Sequence, residues 1–217
     1  MESGEGKKLV IWGAAGHAWV VANAAETSRF FEVVGFLDDV NPKQRATLFP
    51  GKDVLGGREA LEIVRQAGVA DIALGFGDSV ARLRIGSYLR ENGFSVVKIL
   101  HPSSIISRDA VIGEGTVVLA GVVIDPGCRI GKYCIVNNNA IISHQSEIED
   151  GVHICPGVNI AGNVHIGRGA WIGIGTTVIE NISIGESSFI GAGSTVVEDI
   201  PGGVLALGSP ARVIRKI

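Results

Sequence analysis

The chain has 217 residues, 46% of them hydrophobic, and a formal net charge of −3 at pH 7. This length allows one large domain or two small ones, and so small a charge gives no electrostatic basis for binding nucleic acid or an anionic membrane surface. No apolar run is long enough to span a bilayer, and the polar start Met1–Lys8 lacks the apolar core of a signal peptide. The three cysteines, none in a C-x-x-C pair, are expected to be buried thiols in a reducing, cytoplasmic protein.

Short apolar strands alternate with helices over the first hundred residues. The spacing predicts strands at Lys8–Trp12, Glu32–Leu37, Ala70–Phe76 and Phe94–Leu100, and helices at His17–Ser28, Gly57–Ala67 and Val80–Glu91. Strands that alternate with helices form a parallel sheet of the doubly wound type. We therefore expect a Rossmann-like α/β domain over residues 1–102, large enough to bind one nucleotide.

A glycine-bearing loop, Gly13–His17, follows the first predicted strand and opens the first predicted helix. Small residues in this place let backbone N–H groups and the helix N-terminus approach a phosphate. The spacing is G-x-x-G, so it is a weak signature for NAD. Asp38, Asp39 and Gly77 end two other predicted strands at the same sheet edge. We expect nucleotide binding there; tight turns with solvated aspartates are the alternative.

The second half of the chain repeats every six residues. An aliphatic side chain falls at every sixth position from Ile106 to Val196, sixteen times in one register, and a small or β-branched residue follows four positions later. This period matches neither an α-helix nor a long flat strand. It is typical of a parallel β-helix of hexapeptide repeats, with a little over five triangular coils. We therefore expect a second domain over residues 103–217.

Polar residues that interrupt the repeat are the candidates for chemistry. One interruption is Asn137–Gln145, and His153 and His165 are others. His144 follows an inward aliphatic residue by two positions, so it should point outward or along an edge, where a neutral imidazole can accept a proton near pH 7. The alternative is an ordinary surface histidine. The three histidines lie 9 and 12 residues apart without a close pair, which argues against a zinc site, and no metal is expected.

Seven segments, in the same order and with similar gaps, resemble the hexapeptide-repeat acyltransferases, and more narrowly the nucleotide-sugar acetyltransferases of the PglD/NeuD type. These segments are Val10–His17, Gly35–Asp39, Gly77–Ser79, His101–Ile105, Ile142–Gln145, Gly151–Gly157 and Gly208–Arg212. The resemblance implies a left-handed β-helix that binds acetyl-CoA and a front domain that holds a nucleotide-linked amino sugar. It also implies a homotrimer whose active sites lie between subunits.

The resemblance also assigns roles to individual residues. His144 matches the general base and Asn137 a polar residue of the same pocket, while Gln145 stands where the family usually has Glu or Asp. The residues matched to the acetyl-CoA site are His153, Ile174, Ala192 and Arg212. We also expect backbone N–H groups near Gly162 to hold the oxyanion of the tetrahedral intermediate at that site. The residues matched to the nucleotide-sugar site are Ala15, Gly16, His17, Asp38, Asp39 and Gly77.

The expected reaction is direct transfer of the acetyl group from acetyl-CoA to the amine of a nucleotide-linked amino-dideoxy sugar, with UDP favoured as the nucleotide. One alternative is O-acetylation of a sugar hydroxyl, as in the sialic-acid branch of the family. Another is a catalytically impaired homologue, which only Gln145 supports, because a glutamine brings no charge to the imidazole. Glu147 or Glu149 is the candidate to supply the missing carboxylate.

Overall fold

The computed structural model describes residues 6–40 and 51–217. The front domain consists of β1 (Lys7–Trp12), α1 (Gly16–Thr27), β2 (Phe31–Leu37), β3 (Val54–Gly56), a 3₁₀ turn (Arg58–Ala60), α2 (Leu61–Gln66), β4 (Asp71–Leu74), α3 (Ser79–Glu91) and β5 (Ser95–Val96). Its five strands are all parallel and lie in the order β3-β2-β1-β4-β5. This confirms the Rossmann-like sheet.

Alternate residues of β1 supply the two cores of the front domain. Leu9 and Ile11 pack with α1 on one face of the sheet, and Val10 and Trp12 pack with α2 and α3 on the other. Successive side chains of a strand point to opposite faces, so a continuous apolar run indicates a sheet that is covered on both sides.

The second half of the chain is a left-handed parallel β-helix. Its strands are β6 (Ile99–Leu100), β7 (Ile105–Ile106), β8 (Val111–Ile112), β9 (Val117–Val118), β10 (Val123–Ile124), β11 (Arg129–Ile130), β12 (Ile135–Val136), β13 (Ile141–Ile142), β14 (Glu147–Ile148), β15 (His153–Ile154), β16 (Asn159–Ile160), β17 (His165–Ile166), β18 (Trp171–Ile172), β19 (Thr177–Val178), β20 (Ser183–Ile184), β21 (Phe189–Ile190), β22 (Thr195–Val196), β23 (Val204–Gly208) and β24 (Ala211–Lys216). The sixteen predicted hexads coincide with β7 to β22.

Three faces make up the β-helix. The first face contains β6, β9, β12, β15, β18, β21 and β23, and β24 is added to it in antiparallel pairing. The second face contains β7, β10, β13, β16, β19 and β22, and the third contains β8, β11, β14, β17 and β20. The repeated aliphatic residues point inward, and Ile142 and Ile160 are fully buried. The front domain packs on the first face, where Val117 and Leu119 join its core.

The turns between faces stack into three corners. The Asn137 corner, between the first and second faces, contains turns 119–122, 137–140, 155–158, 173–176 and 191–194. The His144 corner, between the second and third faces, contains turns 125–128, 143–146, 161–164 and 179–182. The Tyr133 corner, between the third and first faces, contains turns 113–116, 131–134, 149–152, 167–170 and 185–188. In a three-sided prism the His144 corner lies opposite the first face, which the front domain covers.

The predicted elements agree with the structure to within two residues when the 3₁₀ turn and α2 are counted together as the predicted helix Gly57–Ala67, with two exceptions. The sequence did not predict the three-residue edge strand β3. The single strand predicted over Phe94–Leu100 was wrong, because β5 pairs with β4 whereas β6 pairs with β9 of the β-helix. The chain therefore changes sheets between Val96 and Ile99, and the domain boundary predicted at residues 102 and 103 stays a prediction.

All three cysteines are buried in the β-helix, as expected. Cys128 and Cys134 occupy the small inward position of the repeat, and burial raises the pKa of Cys134 to about 12 and that of Cys155 to about 11. These thiols therefore remain protonated at neutral pH and act as small apolar side chains. Within residues 6–40 and 51–217, no helix is both long and apolar enough to cross a membrane.

Candidate active site

His144 projects from its corner as the sequence predicted and is exposed. Its ring lies directly against Gly162, which occupies the same turn position one coil further on. A Cβ atom at Gly162 would lie 2.4 Å from the His144 Cε1 atom and 2.6 Å from its Nε2 atom. Glycine is therefore required at this position for the imidazole to lie flat against the coil. The Gly162 N–H donates to no group in the described part of the chain.

Gln145 has a left-handed backbone conformation, with φ of 59°. Gly127, Asn163 and Asn181 fill the same turn position in neighbouring coils, and glycine and asparagine tolerate this conformation best. Among the described residues, the Gln145 side chain makes no hydrogen bond, and its backbone N–H donates to the Pro126 carbonyl at 3.0 Å. The side chain is therefore not fixed against the His144 imidazole within this chain.

Glu149 does not supply the missing carboxylate within one chain, because it lies at the Tyr133 corner and its oxygens are engaged. Oε1 lies 3.0 Å from the His165 Nε2 atom, and Oε2 accepts a hydrogen bond from the Arg168 N–H at 2.8 Å. His165, the third polar interruption in the sequence, thus contacts a surface carboxylate and belongs to the Tyr133-corner side of the third face. Glu147 is exposed on the third face, in the strand that directly follows the His144 turn. It remains the nearer of the two candidates along the chain.

Three other residues predicted for the active site lie at a different corner from His144. Asn137, Ile174 and Ala192 belong to the Asn137 corner, and the whole second face separates them from His144. The Asn137 side chain is half-buried and accepts a hydrogen bond from the Asn138 N–H at 2.9 Å, whereas Ile174 and Ala192 are exposed. A single chain therefore does not bring Asn137 and His144 together.

His153 lies at the junction of the two domains. It projects from β15 on the first face and is only 5% exposed, because the front domain covers it. Its Nδ1 atom lies 3.1 Å from the Gly77 carbonyl oxygen, so Nδ1 carries the proton and donates it. Its ring contacts Trp171 with a centroid distance of 4.0 Å. His153 therefore makes a direct contact with the front domain, and the coenzyme contact predicted for it stays a prediction.

His17 and His153 are neutral at physiological pH. Burial, with a further contribution from the nearby Arg82 charge, lowers the pKa of His17 to about 3, and burial likewise lowers the pKa of His153 to about 4. The ring centroids are 6.3 Å apart, and the Nε2 atom of each ring is buried without a hydrogen-bond partner. The junction between the two domains thus contains two uncharged imidazole rings, one from each domain.

A cavity of about 260 Å³ opens at the carboxyl edge of the front sheet. Residues of the β1, β2 and β4 ends and of α3 line it: Trp12, Gly13, Ala14, Ala15, Asp38, Asp39, Val40, Gly75, Phe76, Ala81, Arg84 and Ile85. Gly16 begins α1 beside it, so the helix N-terminus points its free N–H groups toward this edge. This is the part of an open α/β sheet where nucleotides bind. Sequence reasoning missed Arg84, a cation that can contact a phosphate.

The two aspartates of this edge are in different environments. Asp38 is buried and accepts a hydrogen bond from the Val40 N–H at 2.8 Å. Asp39 binds Arg58 through both oxygens, with distances of 2.7 Å to the backbone nitrogen and 2.6 Å to Nη2. Asp39 therefore already has a partner, and its predicted contact to a nucleotide would have to be shared with Arg58.

Arg212, the predicted phosphate contact of the tail, lies on β24 and is exposed. Its Nη1 atom lies 2.8 Å from Glu198 Oε1, an exposed ion pair of the kind that contributes little to stability. A coenzyme phosphate could therefore displace Glu198 at small cost. In the described ranges, no three His, Cys, Asp or Glu side chains cluster closely enough to hold a metal ion.

The fold and these sites together define a hexapeptide-repeat transferase with a Rossmann-like front domain. Comparison with known families agrees for both parts of the chain. Residues 8–89 match the PglD N-terminal domain, and residues 109–144 and 163–197 match the bacterial transferase hexapeptide (six repeats).

Solved structures match nearly the whole chain. A histidine-to-alanine mutant of GDP-perosamine N-acetyltransferase from Caulobacter crescentus, in complex with CoA and GDP-perosamine, is 35% identical, with 96% of this chain and 97% of that chain covered and a TM-score of 0.91. The acetyltransferase domain of PglB from Neisseria gonorrhoeae, in complex with acetyl coenzyme A, is 32% identical, with coverages of 96% and 100% and a TM-score of 0.89. The chain belongs to the PglD-type family of acetyl-CoA-dependent nucleotide-sugar N-acetyltransferases.

Proposed function

We propose that this protein transfers the acetyl group of acetyl-CoA to the amine of a nucleoside diphosphate-linked amino-dideoxy sugar. The observation that carries the proposal is the His144 imidazole, held outward against Gly162 at a corner of the β-helix. The cavity at the front sheet supplies a place for the nucleotide. The relatives crystallised with GDP-perosamine and with acetyl coenzyme A support this pair of substrates.

In the proposed reaction the sugar nitrogen attacks the thioester carbonyl carbon. A C–N bond forms and the C–S bond breaks, so the coenzyme leaves as a thiolate, which receives by way of His144 the proton that the nitrogen has lost and becomes the free thiol. His144 accepts the proton that the nitrogen loses, and the Gly162 N–H stabilises the negative oxygen of the tetrahedral intermediate. Holding two substrates together removes much of the entropic barrier, so no covalent enzyme intermediate is required.

We also propose that the active site lies between subunits of a homotrimer. The front domain covers the first face, while His144 of the same chain lies at the opposite corner, so the β-helix separates that histidine from the front domain of its own chain. If the second face of each chain faces a three-fold axis, the His144 corner of one subunit meets the Asn137 corner of the next. A head-to-tail contact of this kind closes into a ring. It would bring the residues of the His144 corner of one subunit next to those of the Asn137 corner of its neighbour.

The first three outward side chains of the second face support this arrangement, whereas the next three are polar. Ile105 and Ile141 are exposed, and Val123 between them is half-buried. The third face instead presents Arg129 and Glu147 in the coils that carry Val123 and Ile141. An aliphatic surface gains free energy when it is covered, so the second face suits contact with other copies of the chain.

The proposed function is tested by offering nucleotide-linked amino sugars to the wild-type protein. We expect release of the CoA thiol with a 4-amino-4,6-dideoxy sugar linked to a nucleoside diphosphate, and mass spectrometry should detect a product heavier by one acetyl group. Matched UDP-, GDP- and dTDP-linked sugars determine the nucleotide, for which the sequence favoured UDP and the relative bound to GDP-perosamine favours GDP. Sugars with a hydroxyl in place of the amine are the control, and faster acetylation of these would contradict N-acetylation.

Gln145→Glu should move the acid limb of the pH–rate profile to higher pH. A carboxylate beside the catalytic imidazole favours its protonated form, and it fixes the ring for proton transfer. Rates measured from pH 5 to 9 with saturating substrates test this expectation, with Gln145→Asn as the uncharged control at the same left-handed position. An unchanged profile for Gln145→Glu would mean that another residue, such as Glu147, supplies the charge.

A further inference from the structure

Arg82 is a fully buried cation without an acidic partner. It lies in the first turn of α3 with 0% exposure, and burial lowers its pKa to about 10, so it remains protonated at neutral pH. No carboxylate of the described residues pairs with it. Burying an uncompensated charge is costly, so a residue of this kind must be fully hydrogen-bonded to be tolerated.

Its guanidinium donates five hydrogen bonds, all to backbone carbonyls. Two go from Nη1 to the front domain, to Leu74 at 2.9 Å and Phe76 at 3.0 Å. Three go to the Tyr133 corner of the β-helix: Nε to Tyr133 at 2.8 Å, and Nη2 to Gly115 at 3.1 Å and Cys134 at 3.2 Å. These five bonds use the full donor capacity of arginine. One side chain therefore joins the two domains.

The two carbonyls of the front domain belong to the segment at the end of β4, residues 74–78, which contributes to the lining of the cavity and is named the nucleotide loop. Leu74 and Phe76 flank Gly75, and both Gly75 and Phe76 line the cavity. The next residue, Gly77, accepts the hydrogen bond from His153 of the first face. The loop is thus held against the β-helix from two sides, by Arg82 and by His153.

The rest of α3 follows the same corner. Gly86, one helical turn after Arg82, lies against the Tyr133 ring so closely that a Cβ atom would be 2.5 Å from Cε1. Arg90, one turn further, forms an ion pair with Glu114. Residues 82, 86 and 90 share one helix face, and only Arg82 of the three also contacts the nucleotide loop.

We propose that Arg82 is a positioning residue that fixes the nucleotide loop, and with it the direction of the bound sugar, relative to the β-helix. The inference rests on the proposed function. Arginine is required because a lysine offers one nitrogen and cannot reach both sets of carbonyls. The geometry of the loop affects binding of the nucleotide sugar, whereas the corners that carry Ile174 and His144 do not contact Arg82.

Arg82→Lys should raise KM for the nucleotide sugar at least about tenfold, the scale expected for loss of charged hydrogen bonds, while KM for acetyl-CoA stays unchanged. Arg90→Ala is the matched control, because it removes a tie between the same helix and the same corner without touching the loop, and its two KM values should stay at wild type. A loss of stability alone would lower the apparent kcat and leave both KM values as they are. An unchanged KM for the nucleotide sugar in Arg82→Lys would overturn the inference.

Hydrogen exchange separates this inference from the proposed function, because it needs no substrate. Amides of residues 75–78 should exchange faster in Arg82→Lys than in Arg90→Ala, while the coils from β13 to β20 exchange at the wild-type rate. Equal exchange of the loop in both variants would refute the positioning role whether or not the protein acetylates sugars. Gly86→Ala provides a second variant that keeps Arg82: its methyl group pushes α3 away from Tyr133 and should accelerate exchange in the same loop.

Discussion

Replacing His144 with alanine should lower turnover at least about a hundredfold, the usual contribution of a general base, while both substrates still bind. In the proposed reaction the imidazole accepts the proton of the attacking nitrogen, and its ring lies against the Gly162 coil. Thiol release from acetyl-CoA at saturating substrate concentrations measures the loss. Sedimentation of the variant at the wild-type rate would establish that assembly is intact.

A methyl group at Gly162 provides an independent check on the same residue. Gly162→Ala should displace the imidazole, because the new Cβ atom would overlap the His144 ring, and turnover should fall although no catalytic group is removed. In the His144→Ala background the same change should have little further effect, since residues that act as a unit are not additive. Near-normal turnover of His144→Ala would eliminate His144 as the base. Full additivity of the two changes would instead mean that Gly162→Ala acts through its own N–H and not through the imidazole.

Mixed trimers of two inactive variants should regain about a quarter of the wild-type activity. One variant is His144→Ala, and the other is Ala15→Phe, whose ring fills the nucleotide cavity. If each site combines the front domain of one subunit with His144 of the next, random mixing in equal amounts restores about one site in four, the product of two one-half probabilities in a ring of identical contacts. Activity of the co-expressed, tag-purified mixture measures the recovery.

The matched control replaces the second variant with a chain that carries both substitutions. No subunit of that mixture supplies His144, so it should remain inactive. A mixture of the two single variants that is no more active than its parents would show that each chain uses its own histidine, and the inter-subunit site would have to be abandoned.

The repeat made the β-helix predictable from sequence alone. A period of six fixes which side chains point inward, because every hexad takes the same conformation, and the inward positions of Cys128 and Cys134 followed from it. The outward direction of His144 followed from the same register. The loop at Gly13–His17 was predictable because glycine and alanine in a strand-to-helix turn indicate a close approach to the backbone.

The sequence analysis did not recognise which site residues share a corner of the β-helix, although the spacing along the chain could have shown part of this. His144 and Gly162 are 18 residues apart, one full coil, so they share a corner; Asn137 is seven residues from His144 and falls on another. The edge strand β3 was missed because three residues are too few to show the alternation of apolar and polar side chains that indicates a strand. The segment Phe94–Leu100 forms two strands because its first half pairs with the front sheet and its second half with the β-helix, and such pairing cannot be read from the segment alone.

Sequence by itself determined the two kinds of architecture, the inward and outward positions of the repeat and the family resemblance, because these depend on local spacing. Only the tertiary structure decided how the front domain sits on the first face. From the sequence, Arg82 would be expected on the solvent-exposed face of its helix, and His153 would be expected to be exposed where it interrupts the repeat. Packing of the front domain against the β-helix buries both side chains. Burial and hydrogen-bond partners arise from contacts between segments distant in sequence, and no local pattern specifies them.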